Sequence, residues 1–175
     1  MITEREGDIF AQDDLRFILH CANRHCVMGS GVAAQVVKQR PSAHMVDLAT
    51  ADESDTPVHK SQKLGRFTSG ADTVKGTSRI TVNLYGQIGI GANGRPNRWD
   101  RNTSYDAIYD ALRSFKRTYE LRDVDKRWPI GIPYGMAADR AGGKWVIIRA
   151  MIESLFGDTD YEVAIVRFPG MRDLD

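Results

Sequence analysis

Twice in this chain an apolar strand pattern runs straight into a loop of small residues and then into a helix: from Leu19 to Val32, and again from Ile132 to Trp145. Small residues let backbone approach a ligand closely, and the amides opening a helix favour negative charge. Units of this kind need a sheet with helices laid on it, because a strand that is apolar on both sides must be covered on both sides. Strand and helix patterns alternate along the rest of the chain. The fold class expected is α/β, a three-layer α/β/α sandwich around a central sheet.

Phe17, Ile18 and Leu19 form an apolar run without alternation, the signature of a central strand, and its end meets His20 and Asn23. From Gly31 to Gln39 the spacing predicts a helix with Val32, Val36 and Val37 on one side, halted by Pro41. The polar stretch from Thr50 to Lys63 reads as a surface connection with little chemistry. Gly65 to Val74 and Arg79 to Tyr85 read as two strands joined near Gly76, the second with Ile80, Val82 and Leu84 in alternation. Gly86 to Thr103 is long and rich in Gly, Asn and Arg, so it is either a functional loop or a mobile one. Ser104 can cap the following helix, whose stripe of Tyr105, Ile108, Tyr109, Leu112, Phe115 and Tyr119 is core. Trp128 to Pro133 is a strand, Lys144 to Phe156 a helix, and Tyr161 to Arg167 the closing strand. With no internal repeat and 175 residues, one domain spanning 1–175 is expected.

A hydrophobic share of 42% and a charged share of 27% exclude a disordered or fibrous chain. The formal charge of +1 gives no global pull toward nucleic acid, although Arg95, Arg98, Arg101 and Trp99 make the long loop a possible local contact. A lid over a ligand is the preferred reading of that loop. No apolar run reaches the roughly 20 residues of a membrane span, and Met1 to Phe10 is too acidic and polar for a signal peptide. A cytoplasmic monomer is the expectation. Cys21 and Cys26 do not make a disulfide framework and are expected as thiols. With His20 and His25 they offer nominal metal ligands, but strand alternation sends neighbouring side chains to opposite faces, so no metal and no cofactor are expected.

Taken singly, glycines in such loops serve tight turns more often than ligands. Two units of one form, both beyond the carboxyl ends of strands, suggest instead a diphosphate clamp.

The order and spacing resemble the macrodomain family, in the branch of the ADP-ribose 1''-phosphate processing enzymes and the terminal ADP-ribose protein glycohydrolase. The resemblance rests on Gly7-Asp8-Ile9-Phe10, Ile18-Leu19-His20-Cys21-Ala22-Asn23, Met28-Gly29-Ser30-Gly31-Val32-Ala33, Ser104-Tyr105, Ile132-Pro133-Tyr134-Gly135, Asp139 and Gly142-Gly143-Lys144-Trp145. It covers nearly the whole chain and implies a mixed central sheet.

By that resemblance Asp8 accepts a hydrogen bond from an adenine amino group, with the Ile9 amide beside it; a carboxylate fits because it is acceptor-only when ionised. Asp8 can equally be a turn residue after Gly7. Asn23 would bind the distal ribose, Gly29, Ser30, Gly31 and Val32 would pass under the diphosphate, and Gly135, Met136, Ala137 and Ala138 would form the opposite wall. Asp139 and His20 are the implied catalytic pair, positioning or activating water and assisting the leaving group. Two departures matter. The glycohydrolase branch uses a lysine at the end of the middle strand, where this chain reads Leu84-Tyr85-Gly86-Gln87, so a covalent lysine mechanism is not expected. The second loop also carries methyl groups where the family has more glycine. The implied function is hydrolysis of an ADP-ribose derivative, ADP-ribose 1''-phosphate first. The alternatives are removal of ADP-ribose from protein or nucleic acid, and a module that binds ADP-ribose without turning it over.

Overall fold

The computed structural model describes residues 1–51, 62–89, 101–121, 128–138 and 140–174. In chain order these hold β1 (Ile2–Glu6), a 3₁₀ turn (Ile9–Ala11), β2 (Phe17–Asn23), α1 (Gly31–Gln39), α2 (Pro41–Leu48), β3 (Phe67–Val74) and β4 (Thr77–Gln87). Next come α3 (Tyr105–Leu121), β5 (Ile130–Pro133), α4 (Trp145–Phe156) and β6 (Val163–Arg167). The sheet is six-stranded, ordered β1-β6-β5-β2-β4-β3. All neighbours run parallel except β3, which pairs antiparallel with β4. The sheet is therefore mixed, with one antiparallel edge strand.

Local chemistry accounts for the elements. β3 and β4 are joined by Lys75 and Gly76 at φ 50° and 76°, the two positive values that a tight hairpin turn needs to match strand twist. Ser104 caps α3, its Oγ accepting the Ala107 amide at 3.3 Å. Strand alternation splits the interior into two layers. Phe17, Leu19, Val82, Leu84, Ile132 and Ile165 face α3 and α4. Ile18, Ala164 and Val166 face α1 and α2 with Val36 and Ala43. The first layer is anchored by aromatic rings, with Phe17 edge-on to Tyr119 at 4.7 Å and to Phe115 at 5.6 Å between centroids. Each such ring, fully buried, is worth about 1.5–3 kcal/mol over leaving it in water.

Pro41 ends α1 as expected, but it also opens α2, where the fixed φ of proline suits the first helical position. This helix was not foreseen, since only Ala43 and Asp47 of its face are buried. Its backbone lies almost on β3: a Cβ at Gly70 would come within 2.3 Å of the Ala43 nitrogen.

Candidate functional site

Because β1, β6, β5, β2 and β4 all point the same way, their carboxyl ends share one edge of the sheet. Along it stand, in order, Asp8 after β1, Phe168 after β6, Tyr134 to Ala138 after β5, Asn23 to Gly31 after β2, and Gln87 at the end of β4. At about 4.8 Å per strand the row from β1 to β2 spans about 14 Å.

At the β1 end, the Gly7 amide donates to Arg167 carbonyl at 2.9 Å, which sets the exit of β1 beside that of β6. Asp8 Oδ1 accepts the Phe10 amide at 2.9 Å and so caps the 3₁₀ turn. Its other carboxylate oxygen is not used in that bond. Ile9 is buried, and its side chain packs against Gly131 of β5. Phe168 is 61% exposed. A large ring left in water at this edge is a feature that sequence reading missed, since an aromatic residue after a closing strand carries no pattern of its own.

At the β2 end the ladder to β4 slips between Ala22 and Asn23, so that Asn23 lies opposite Gln87. The Asn23 side chain then folds the loop. Its Oδ1 accepts the amides of His25 and Val27 at 3.0 and 3.3 Å, and its Nδ2 donates to Val27 carbonyl at 2.6 Å. Met28 is buried, while Gly29, Ser30 and Gly31 are exposed. Ser30 is the extended N-cap of α1 with no side-chain capping bond, and Gly31 follows at φ 59°. The Ala34 amide makes the first contact to Ser30 carbonyl. The amides of Gly31, Val32 and Ala33 thus precede Ala34, the first amide to donate within the helix, the arrangement that binds anions.

The loop after β5 is tightly wound. Met136 donates to Pro133 carbonyl at 3.1 Å, Ala138 to Gly135 carbonyl at 2.9 Å, and Gly143 to Ala137 carbonyl at 3.1 Å. Thr103, 1% exposed, lies across it, its hydroxyl 2.6 Å from Ala137 carbonyl and 3.0 Å from Ala141 carbonyl. Ala137 adopts φ 58° and Gly135 φ 70°. Met136 and Ala138 are buried. Over this loop runs the C-terminal segment, where Leu174 donates its amide to Tyr134 Oη at 2.8 Å and Tyr134 Oη donates to Asp173 at 2.8 Å.

No family model matches the sequence, and no curated protein matches it. Solved structures do. The macrodomain of Mycobacterium tuberculosis DarG superposes with a TM-score of 0.73 at 16% identity, covering 97% of this chain and 99% of that one. The fold is that of a macrodomain. Thermosipho africanus DarTG in complex with ADP-ribose gives a TM-score of 0.70 at 15% identity over 97% of this chain and 42% of its own. A macrodomain protein from Streptomyces coelicolor gives 0.63 at 18%, over 95% and 98%.

Within this macrodomain fold His20 is set apart from the edge. It sits in mid-β2 opposite Asn83, 1% exposed, with Nε2 2.7 Å from Asn83 Oδ1. Asn83 Nδ2 donates to Ala43 carbonyl and Thr68 Oγ1. That fixes the amide's orientation and makes His20 Nε2 the donor, leaving Nδ1 enclosed and without a partner. Burial pulls the imidazole below its ordinary range, against the Asn83 bond, which raises it. His20, expected from the sequence as one of the catalytic pair, is thus enclosed beside Asn83 rather than standing open at the loops. Asp139, and with it Arg95, Arg98 and Trp99, lies outside the described residues. Gln87 does end β4, as the residue order implied. Lys63, at the end of the polar stretch that begins at Thr50, approaches β4 from elsewhere, 4.2 Å from the Tyr85 ring centroid. Among the described residues no group of three or more His, Cys, Asp or Glu could hold a metal ion, and no helix is long and apolar enough to cross a membrane.

Proposed function

We propose that this chain binds ADP-ribose along the carboxyl edge of its sheet and hydrolyses ADP-ribose 1''-phosphate to ADP-ribose and inorganic phosphate. The observation that carries the reading is the row itself, from Asp8 through the Tyr134 loop to the open amides of α1, which together offer an acceptor, an apolar wall and an anion site over a dinucleotide-sized span. Its likeness to a structure solved with ADP-ribose supports it.

In this reading the second oxygen of Asp8 takes the adenine amino hydrogen and Phe168 stacks on the base. The Ile9 amide lies beside it. The diphosphate rests on the amides from Gly29 to Val32, with Gly135, Met136, Ala137 and Ala138 as the opposite wall, and Asn23 meets the distal ribose. Water attacks the terminal phosphorus, the phosphorus–oxygen bond to C1'' breaks, and the ribose oxygen takes a proton. Asp139, which follows Ala138 in the second loop, is assigned the proton transfers. The burial of His20 leaves Asp139 without the second catalytic group that the resemblance implied, and this favours a non-catalytic ADP-ribose-binding module as the second reading.

Calorimetric titration with ADP-ribose, against AMP and NAD, tests the shared part. One-site binding of ADP-ribose well above AMP is expected, and no binding overturns both readings. Phosphate release from ADP-ribose 1''-phosphate then separates them. Turnover abolished by Asp139→Ala, with binding retained, is the expected result; binding without turnover leaves the module.

A further inference from the structure

A second cluster lies on the α1 and α2 side of the sheet. Asp47 of α2 is fully buried. Its Oδ1 accepts Tyr85 Oη at 2.8 Å and Lys63 Nζ at 3.4 Å, while Oδ2 is enclosed with no partner. The Lys63 side chain is only 10% exposed, and its Nζ stands 2.8 Å from Cys26 Sγ. That separation is typical of a bond from nitrogen to oxygen, so the larger sulfur is in close contact. Cys26 is held there at φ 57°, its Sγ also 3.2 Å from Asp47 carbonyl and 3.7 Å from Thr50 Oγ1. A thiol, a primary amine and a buried carboxylate thus meet at one half-buried point.

We propose that Cys26 and Lys63 form an oxidative cross-linking site, in which a peroxide converts the contact into a covalent sulfur–nitrogen bond. Hydrogen peroxide is the oxidant: its O–O bond breaks, one oxygen joins Cys26 Sγ as a sulfenic acid, and the other leaves as water. The Lys63 ammonium gives a proton to Asp47. The neutral amine then attacks sulfur, the S–OH bond breaks, and hydroxide leaves as a second water with one of the two amine protons, the other staying on the sulfenamide nitrogen. Sulfur loses two electrons and peroxide gains them. The product is a sulfenamide, reversible by thiols, that ties the loop after β2 to the chain leading into β3. Cys21 is not a competitor. It packs on the opposite layer, and burial pushes its thiol up to about 12, which keeps it protonated and unreactive. Cys26 lies in the loop between Asn23 and Gly29, but its contact with Lys63 does not rest on the ADP-ribose reading.

The test is peroxide treatment of the folded chain, tryptic digestion without reductant, and mass spectrometry. Expected is peptide 25–38 joined to 61–66, uncut at Lys63, lighter than the sum of the two by about two hydrogens, and parted by dithiothreitol. The same pair carrying one added oxygen also supports the site, through a further oxidation to an N–O–S bridge. Lys63→Arg keeps the positive charge without the nucleophilic amine, so it should lose the cross-link and leave a Cys26 sulfenic acid that dimedone traps. Cys21→Ser should leave the cross-link intact. Should Lys63→Arg fail to fold, reductive dimethylation of the folded wild-type chain blocks the same amine and should have the same effect. A Cys26 oxidised to sulfinic acid beside unmodified Lys63, a Cys21–Cys26 disulfide, or a cross-link to another lysine would overturn the proposal.

Discussion

Gly135→Ala tests how the loop after β5 is held by the C-terminal segment. A Cβ at Gly135 would meet Leu174 Cδ1 at 2.5 Å and Met171 Cε at 2.8 Å, and the residue's φ is 70°. For alanine that left-handed conformation costs about 1–2 kcal/mol, partly offset by about 0.4–1 kcal/mol from the less flexible unfolded chain. The clash is with the far ends of two side chains, so the segment can yield, but Leu174 and Met171 then lose packing against the α3 and α4 layer. Both are only partly buried, and about 1–2 kcal/mol is a fair loss, below the value for full burial. The sum is about 2–3 kcal/mol, which lowers a urea midpoint by about 1–2 M. Fluorescence of Trp145, whose ring lies 5.1 Å from that of Tyr134, follows the transition. In a Met171→Ala, Leu174→Ala background the same substitution should cost only the backbone part, about 1 kcal/mol, and the difference measures the coupling. Equal costs in both backgrounds would refute the contact, and a loss under about 0.5 kcal/mol would refute the strain as well.

His20→Gln should flatten the pH dependence of stability. Burial holds the folded imidazole below the ordinary histidine value of 6.5, so the unfolded chain binds the proton first as pH falls. Stability is therefore full above 6.5 and declines below it until the folded group also protonates, with a slope of at most about 1.4 kcal/mol per pH unit from this group. Urea titrations of both proteins between pH 7 and 5 check this; identical slopes would deny the buried neutral histidine. Thr103→Val keeps shape but removes a hydroxyl bridging two carbonyls, and should cost about 0.5–1.5 kcal/mol in the same titrations, since Gly143 and Asn102 amides still satisfy those oxygens.

Most of the sheet was legible because its strands carry their own signals: the unbroken run at Phe17 to Leu19, the alternation through Val82 and Leu84, and the aromatic stripe of α3 that meets them. The glycines at Gly29 and Gly31 likewise marked an exposed helix start. What stayed hidden is non-local or polar. α2 buries an aspartate and an alanine in place of an apolar stripe, so periodicity had nothing to detect. The partners of that aspartate, Lys63 and Tyr85, are separated from it by 16 and 38 positions. The contact of His20 with Asn83, 63 positions away, had no signal in the sequence either.

The first strand of the chain finds its partner last. Among the described residues β1 pairs with β6 alone, Ile2 opposite Val163 through Glu6 opposite Arg167, and the Met1 ammonium reaches Tyr161 carbonyl at 2.6 Å across 160 positions. During synthesis β1 must therefore wait with an unpaired backbone until β6 has been made. Long-range parallel pairing of this kind is slow and exposes strand edges while it is incomplete. Asp8 acquires its place only when Arg167 arrives to accept the Gly7 amide. A nascent chain that has completed β2, β4 and β5 still lacks the β1 end of this carboxyl edge, so under the proposed function ligand capture waits for β6.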